Sequence, residues 1–188
     1  VPSAQALLQH LPEAGCEMHP YSYPRLRGQP GELTVGRPMP RSFEMQTALD
    51  LATPRFVRAR IDADIFHATD YRVVRMKCPV VATLHDALPI KYPEWCSPRM
   101  RALKNWVQVK AARKAQHIIS PSHFAVKELV ECFGVDEKRI SVVHQGVDAG
   151  WAETPNPNQV KVTLTMNKLD PGYFLFVGTL QPRKNIER

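Results

Sequence analysis

Two stretches of this 188-residue sequence carry side chains able to act on a polar, charged substrate. The first is TLHDALPIKYPE, residues 83–94, where His85 ends an apolar run and Asp86 follows it. A neutral imidazole accepts a proton or hydrogen-bonds a hydroxyl near neutral pH. The carboxylate beside it either orients the ring or caps the next turn. The second is GTLQPRKN, residues 178–185, where Arg183 and Lys184 precede a predicted helix. The free N–H groups and dipole of a helix start favour phosphate, and two cations add to that field. The pattern is neither a Gly-rich P-loop nor GxGxxG. A plainer reading stands beside each: a histidine after a strand serves the fold, and adjacent basic residues are solvated.

The elements that must position these residues are legible from Asp64 onward. DIFHAT (64–69), PVVATLH (79–85), HIISPS (117–122) and RISVVHQGV (139–147) read as strands. A helix is predicted from about Ser97 to Gln116, with Met100, Leu103, Val107 and Ala111 on its inner face. A second follows, with Ser122 as N-cap and Gly134 as C-cap. Strands separated by helices of this length imply crossover connections, hence a doubly wound, mainly parallel α/β sheet. Such sheets bind ligands at the carboxyl ends of their strands. That rule selects His67 and Tyr71, His85 and Asp86, Ser120 and Ser122, Gly146 and Asp148, and the closing Arg183 and Lys184.

Upstream, residues 1–11 read as a helix with no strand before it, and CEMHPYSY (16–23) as an outer strand. The Pro/Gly-rich stretch 24–41 reads as a long loop, and SFEMQTALDL as a helix ending before Pro54. Residues 1–150 thus form one Rossmann-like domain, 151–170 a linker bearing Pro155 and Pro157, and 171–188 the first strand and loop of another α/β domain. The expected organisation places a first strand before residue 1 and the rest of the second domain after residue 188.

Composition narrows the partners. A net charge of +7 invites nucleic acid, but the excess is concentrated: seven basic residues lie between Lys91 and His117 against a single acid, Glu94. The predicted helix there carries Arg101, Lys104 and Lys110 on a cationic outer face, a surface suited to anionic lipid as well as to plain solvation. No helix-turn-helix or RNA-binding aromatic signature accompanies it, so no nucleic-acid partner is expected. Four dispersed cysteines without CxxC spacing read as reduced thiols, and seven dispersed histidines without HxxxH predict no metal centre. No stretch is long and apolar enough to span a membrane, and no signal peptide is evident. The expected location is cytoplasmic, peripheral on the inner face of the plasma membrane where the basic helix engages it.

Together, FHATDY, PVVATLHDALPIKYPEW, HIISPSHFAVKELVECFGVDEKRISVVHQGVD and YFLFVGTLQPRKN resemble, in order and spacing, the family 4 retaining glycosyltransferases. The similarity covers about two thirds of the chain and is to bacterial mannosyltransferases of polysaccharide assembly. It implies the N-terminal half of a GT-B fold, whose two Rossmann-like domains face a cleft. It implies a nucleotide-diphosphate sugar as donor, GDP-mannose foremost, a glycan or lipid-linked acceptor, and no tightly bound cofactor. His85 would support the transferred sugar, Arg183 and Lys184 would bind the donor diphosphate, and Gly146 and Asp148 would line the cleft rim. Thr179 stands where many relatives place Arg, and Gln145 where Asn is common. On this organisation residues 1–188 alone would be inactive or nearly so. A nucleotide-sugar epimerase of the same architecture and a non-catalytic polyanion- or membrane-binding module are the rival readings.

Overall fold

The computed structural model describes residues 2–23, 36–53, 59–95, 101–147, 149–181 and 184–186. The chain divides into two compact units, Val1–Gln145 and Gly146–Arg188.

The first unit opens with α1 (Pro2–His10). β1 (Tyr21–Ser22) then pairs in parallel with β2 (Arg37–Pro38). The outer strand expected over 16–23 is thus only two residues long, and its partner lies within the stretch read as loop. Gly36 is needed here: its φ of 85° suits glycine, and any Cβ would strike the Pro20 carbonyl as the two segments meet. Ser42 starts α2 (Phe43–Ala52), its Oγ accepting the Met45 N–H at 3.2 Å.

A four-stranded, all-parallel sheet follows. Its members are β3 (Phe66–Ala68), β4 (Val80–Thr83), β5 (His117–Ser120) and β6 (Ile140–Val142), side by side in chain order. Between β4 and β5 run α3 (Leu88–Lys91), a 3₁₀ turn (Pro93–Trp95) and α4 (Arg101–Ala112); α5 (His123–Phe133) joins β5 to β6. Right-handed crossovers between successive neighbours put α4 and α5 on the same face, where they pack against each other. The sheet residues facing them, Val80, Ala82, Ile118 and Ser120, are fully buried with Ala111, Ala112, Ala115, Leu129 and Phe133. This is the α/β, Rossmann-like architecture expected from the alternating pattern.

The other face is half-buried and partly polar. His67, Val81, Thr83, Ile119 and Ser141 lie on it by strand alternation and register. His67 Nε2 meets Thr83 Oγ1 at 2.8 Å, and His117 Nε2 meets Ser141 Oγ at 2.9 Å.

α5 realises the sequence prediction at both ends. Ser122 Oγ accepts the Ala125 N–H at 3.2 Å, and Gly134, at φ 60°, returns its N–H to Val130 O at 3.0 Å. α4 corrects it. Leu103, expected inside, is 51% exposed, as is Trp106 at 47%. Ala111, expected inside, is buried together with Ala112, and Val107, also expected inside, is partly covered along with Asn105 and Val109; small side chains let the helix approach the sheet closely. Met100 and the start of the predicted helix lie outside the described residues.

A buried ion pair ties α2 to the end of α4: Lys114 Nζ lies 2.8 Å from Asp50 Oδ2, with the two side chains 8% and 0% exposed. Asp50 also accepts the Gln46 amide at 2.9 Å and the Arg75 N–H at 3.0 Å. A buried charge persists only with such partners.

In the second unit, Asn156 caps α6 (Pro157–Asn167) within the stretch read as linker. A concavity of about 640 Å³ lies between α6 and residues 168–171. Residues 173–177, read as a strand, show no strand pairing; a strand needs a neighbour's ladder, and among the described residues of this unit there is no second strand to supply one.

Candidate functional site

The carboxyl ends of β3 to β6 gather the first unit's chemistry-bearing residues on one rim. β4 ends at Thr83, and Leu84 continues its pairing by donating to Ile119 O at 2.9 Å. His85 and Asp86 then leave the sheet. His85 is half-buried, and its imidazole has no hydrogen-bond partner among the described residues.

Asp86 is engaged through Oδ1 and its main chain. Its Oδ1 accepts the Leu88 N–H at 3.0 Å, so of the two roles open in the sequence the structure gives it the turn-capping one. Tyr71, on the loop after β3, completes the arrangement. Its hydroxyl donates to Asp86, 2.9 Å from Oδ1 and 2.5 Å from the main-chain carbonyl, and accepts the Asp86 N–H at 3.0 Å. The Tyr71 ring stacks on Phe133 at 5.8 Å and 9°, anchoring the loop to the core. Burial, reinforced by the Asp86 carboxylate, pushes the Tyr71 hydroxyl well above the usual phenol range, so it stays protonated as a donor.

Further along the rim, burial pulls the His67 imidazole below its usual range and keeps it neutral near pH 7. Ser120, fully buried, donates to Ser122 O at 3.0 Å and closes the turn between β5 and α5. After β6, His144 donates from Nδ1 to Pro121 O at 3.1 Å, leaving Nε2 as an exposed acceptor. Its ring meets His123 edge-on at 5.9 Å. Sequence reasoning passed over His123 and His144, although they lie three and two residues past strand ends selected by the same rule. It also missed Lys91, whose Nζ lies 3.1 Å from Glu128 Oε1 and pins α3 to α5.

The structure therefore brings His67, Tyr71, His85, Asp86 and Ser122 to one edge. Gly146 and Lys184 belong to the second unit, while Asp148 and Arg183 lie outside the described residues. Lys104 and Lys110 are exposed on α4; Arg101 opens that helix, and its side chain is outside the described set. A concavity of about 350 Å³ lined by Arg75, Arg113, Lys114 and Gln116 lies at the opposite, amino end of β4 and β5, away from His85. Among the described residues no three His, Cys, Asp or Glu side chains converge in a metal-binding group, and Cys16, Cys78 and Cys132 are free thiols. No helix among them is long and apolar enough to cross a membrane.

A parallel sheet with its polar side chains collected at the strand ends defines a Rossmann-like domain of the kind that makes half of a GT-B enzyme. The chain belongs to glycosyltransferase family 4, whose family model matches residues 3–151. A comparison with curated proteins gives no significant match.

Proposed function

We propose that this chain is the acceptor-side domain, with the opening of the donor-side domain, of a retaining hexosyltransferase. It moves mannose from GDP-mannose to a glycan or lipid-linked acceptor. The observation that carries the reading is His85: a half-buried imidazole without a protein partner among the described residues, at the carboxyl rim of a family 4 domain, on a loop fixed by Tyr71 and Asp86. In this role His85 hydrogen-bonds a hydroxyl of the transferred sugar and holds it against the acceptor. Arg183 and Lys184 bind the diphosphate and stabilise the charge that develops as the glycosidic bond breaks, electrostatic work that a tightly bound metal performs in other enzymes.

The lipid-linked form of the acceptor is favoured by the outer face of α4. Leu103, Trp106 and Lys110 lie on one side of the helix, three and four residues apart, with Lys104 beside them. Exposed apolar side chains flanked by lysines suit an anionic membrane surface.

The test is transfer by the full-length protein from GDP-mannose, with UDP-glucose as the competing donor and the product's anomeric configuration read by NMR. His85→Ala is expected to lower kcat by about 100-fold or more while the thermal unfolding midpoint holds. A His85→Ala rate within about threefold of the parent overturns the assignment. An epimerised sugar nucleotide formed without acceptor would establish the epimerase instead.

A further inference from the structure

The loop leaving β4 carries a second feature past the His85–Asp86 turn. Tyr92 and Trp95 stack with ring centroids 4.6 Å apart and an interplanar angle of 12°. Trp95 is 41% exposed, and Tyr92 covers one of its faces, so the area open to solvent belongs to the other face and the ring edge. The pair is held in place from several directions. The Tyr92 N–H donates to Leu88 O at 2.9 Å and the Trp95 N–H to Tyr92 O at 3.1 Å. Asn105 on α4 donates to Pro89 O at 2.7 Å, and the Lys91–Glu128 pair fixes the end of α3. A flat apolar surface is thus preorganised on the segment that leaves the rim after Asp86, with the exposed Glu94 carboxylate next to it in the chain.

We infer that the Tyr92–Trp95 stack is an acceptor subsite, a platform on which the C–H face of a hexopyranose lies while Glu94 accepts hydrogen bonds from its hydroxyls. The assignment rests on the glycosyltransferase reading above. A pyranose combines one apolar face with an equatorial belt of donors, and an indole beside a carboxylate offers the complement of both. An anionic lipid surface fits less well: of the charged neighbours in the chain, Glu94 repels it and Lys91 is paired with Glu128, whereas Lys104 and Lys110 lie with Leu103 and Trp106 on α4.

The experiment titrates the full 188-residue chain with methyl α-D-mannopyranoside to on the order of 50 mM, the range suited to a weak monosaccharide site. The indole N–H resonances of the three tryptophans are followed, with saturation transfer to the sugar as a second readout. The resonance lost in Trp95→Phe identifies Trp95. That resonance is expected to shift saturably, and saturation transfer to fall at least about tenfold in Trp95→Ala, to weaken in Glu94→Gln and to recover in Trp95→Tyr, with unfolding midpoints confirming that each variant folds. A silent Trp95 resonance, or transfer unchanged in Trp95→Ala, overturns the subsite. So does a Trp95 response to vesicles of phosphatidylcholine and phosphatidylglycerol without one to sugar. Glycosyl transfer measured in parallel with the full-length protein separates the two readings: transfer with a silent Trp95 removes the subsite alone, and a sugar-dependent Trp95 shift in a full-length protein that shows no transfer removes the enzyme reading and leaves a sugar-binding surface.

Discussion

Replacing Tyr71 by Phe tests the arrangement that holds the His85–Asp86 turn. The substitution keeps the ring, hence the 5.8 Å stack on Phe133, and deletes one oxygen. That oxygen donates to Asp86 and accepts the Asp86 N–H at 3.0 Å. The donated proton is shared between the Asp86 main-chain carbonyl at 2.5 Å and its carboxylate Oδ1 at 2.9 Å, a bond worth roughly 1–3 kcal/mol, and the acceptance is an ordinary bond worth about 1 kcal/mol. Asp86 keeps its bond from Leu88 N–H, so part of the turn survives and water reaches a half-buried site. The expected net loss is therefore about 2 kcal/mol, a sizeable part of the roughly 5–15 kcal/mol that stabilises a domain. Urea unfolding of the two proteins, with equal m-values required, measures it. A loss below about 0.5 kcal/mol would refute the claim that the hydroxyl anchors the turn. Tyr71→Leu removes the ring stack as well and should lose more than Tyr71→Phe, since stacked aromatic pairs add about 0.5–1.5 kcal/mol beyond burial.

Two further outcomes are expected. Lys114→Met leaves Asp50 charged and fully buried, with Gln46 and the Arg75 N–H as its remaining partners among the described residues, and should cost about 3–5 kcal/mol by urea unfolding, with much of that recovered in the Lys114→Met/Asp50→Leu double variant; equal losses in both would show that the charge pair is not what the site requires. The depressed His67 imidazole gives stability a pH dependence: as pH falls through 6.5 the unfolded chain takes up this proton before the folded one, so the contribution is complete above that value and lost as pH falls toward the folded pKa. His67→Gln should flatten the acid side of the urea-midpoint profile, and an unchanged slope would remove His67 as its source.

The sequence made some parts of this molecule plain and hid others, for identifiable reasons. α5 was legible to the residue because both ends are set by local chemistry, a serine that caps and a glycine that turns left-handed. The four main strands were found but overextended, since apolar runs continue past the last ladder bond into the loops that carry His85 and His144. α4 was found with part of its inner face: Ala111 is buried and Val107 partly covered as expected, but Leu103 is exposed, and Ala112, whose small size helps helix and sheet meet, was passed over in favour of larger apolar positions. α6 escaped because its apolar residues make no continuous face and its prolines suggested a linker. Strand-end logic collected His67, Tyr71 and His85 on one rim. It could not show that Tyr71 bonds Asp86, fifteen residues away, because such a pairing exists only once β3 and β4 are side by side.

The two imidazole–hydroxyl pairs on the open side of the sheet share a geometry. His67 registers opposite Val81 yet bonds Thr83, two residues further up the neighbouring strand; His117 likewise reaches Ser141, two beyond its own level. Each works as an indexing pin. A strand displaced by one residue would turn its pin into the core, and one displaced by two would travel about 6.6 Å and disengage it. What these pins keep level is the height of the strand tops, so the alignment of the rim residues is set by contacts on the open face just beneath them, the first of these at Thr83, two residues short of His85.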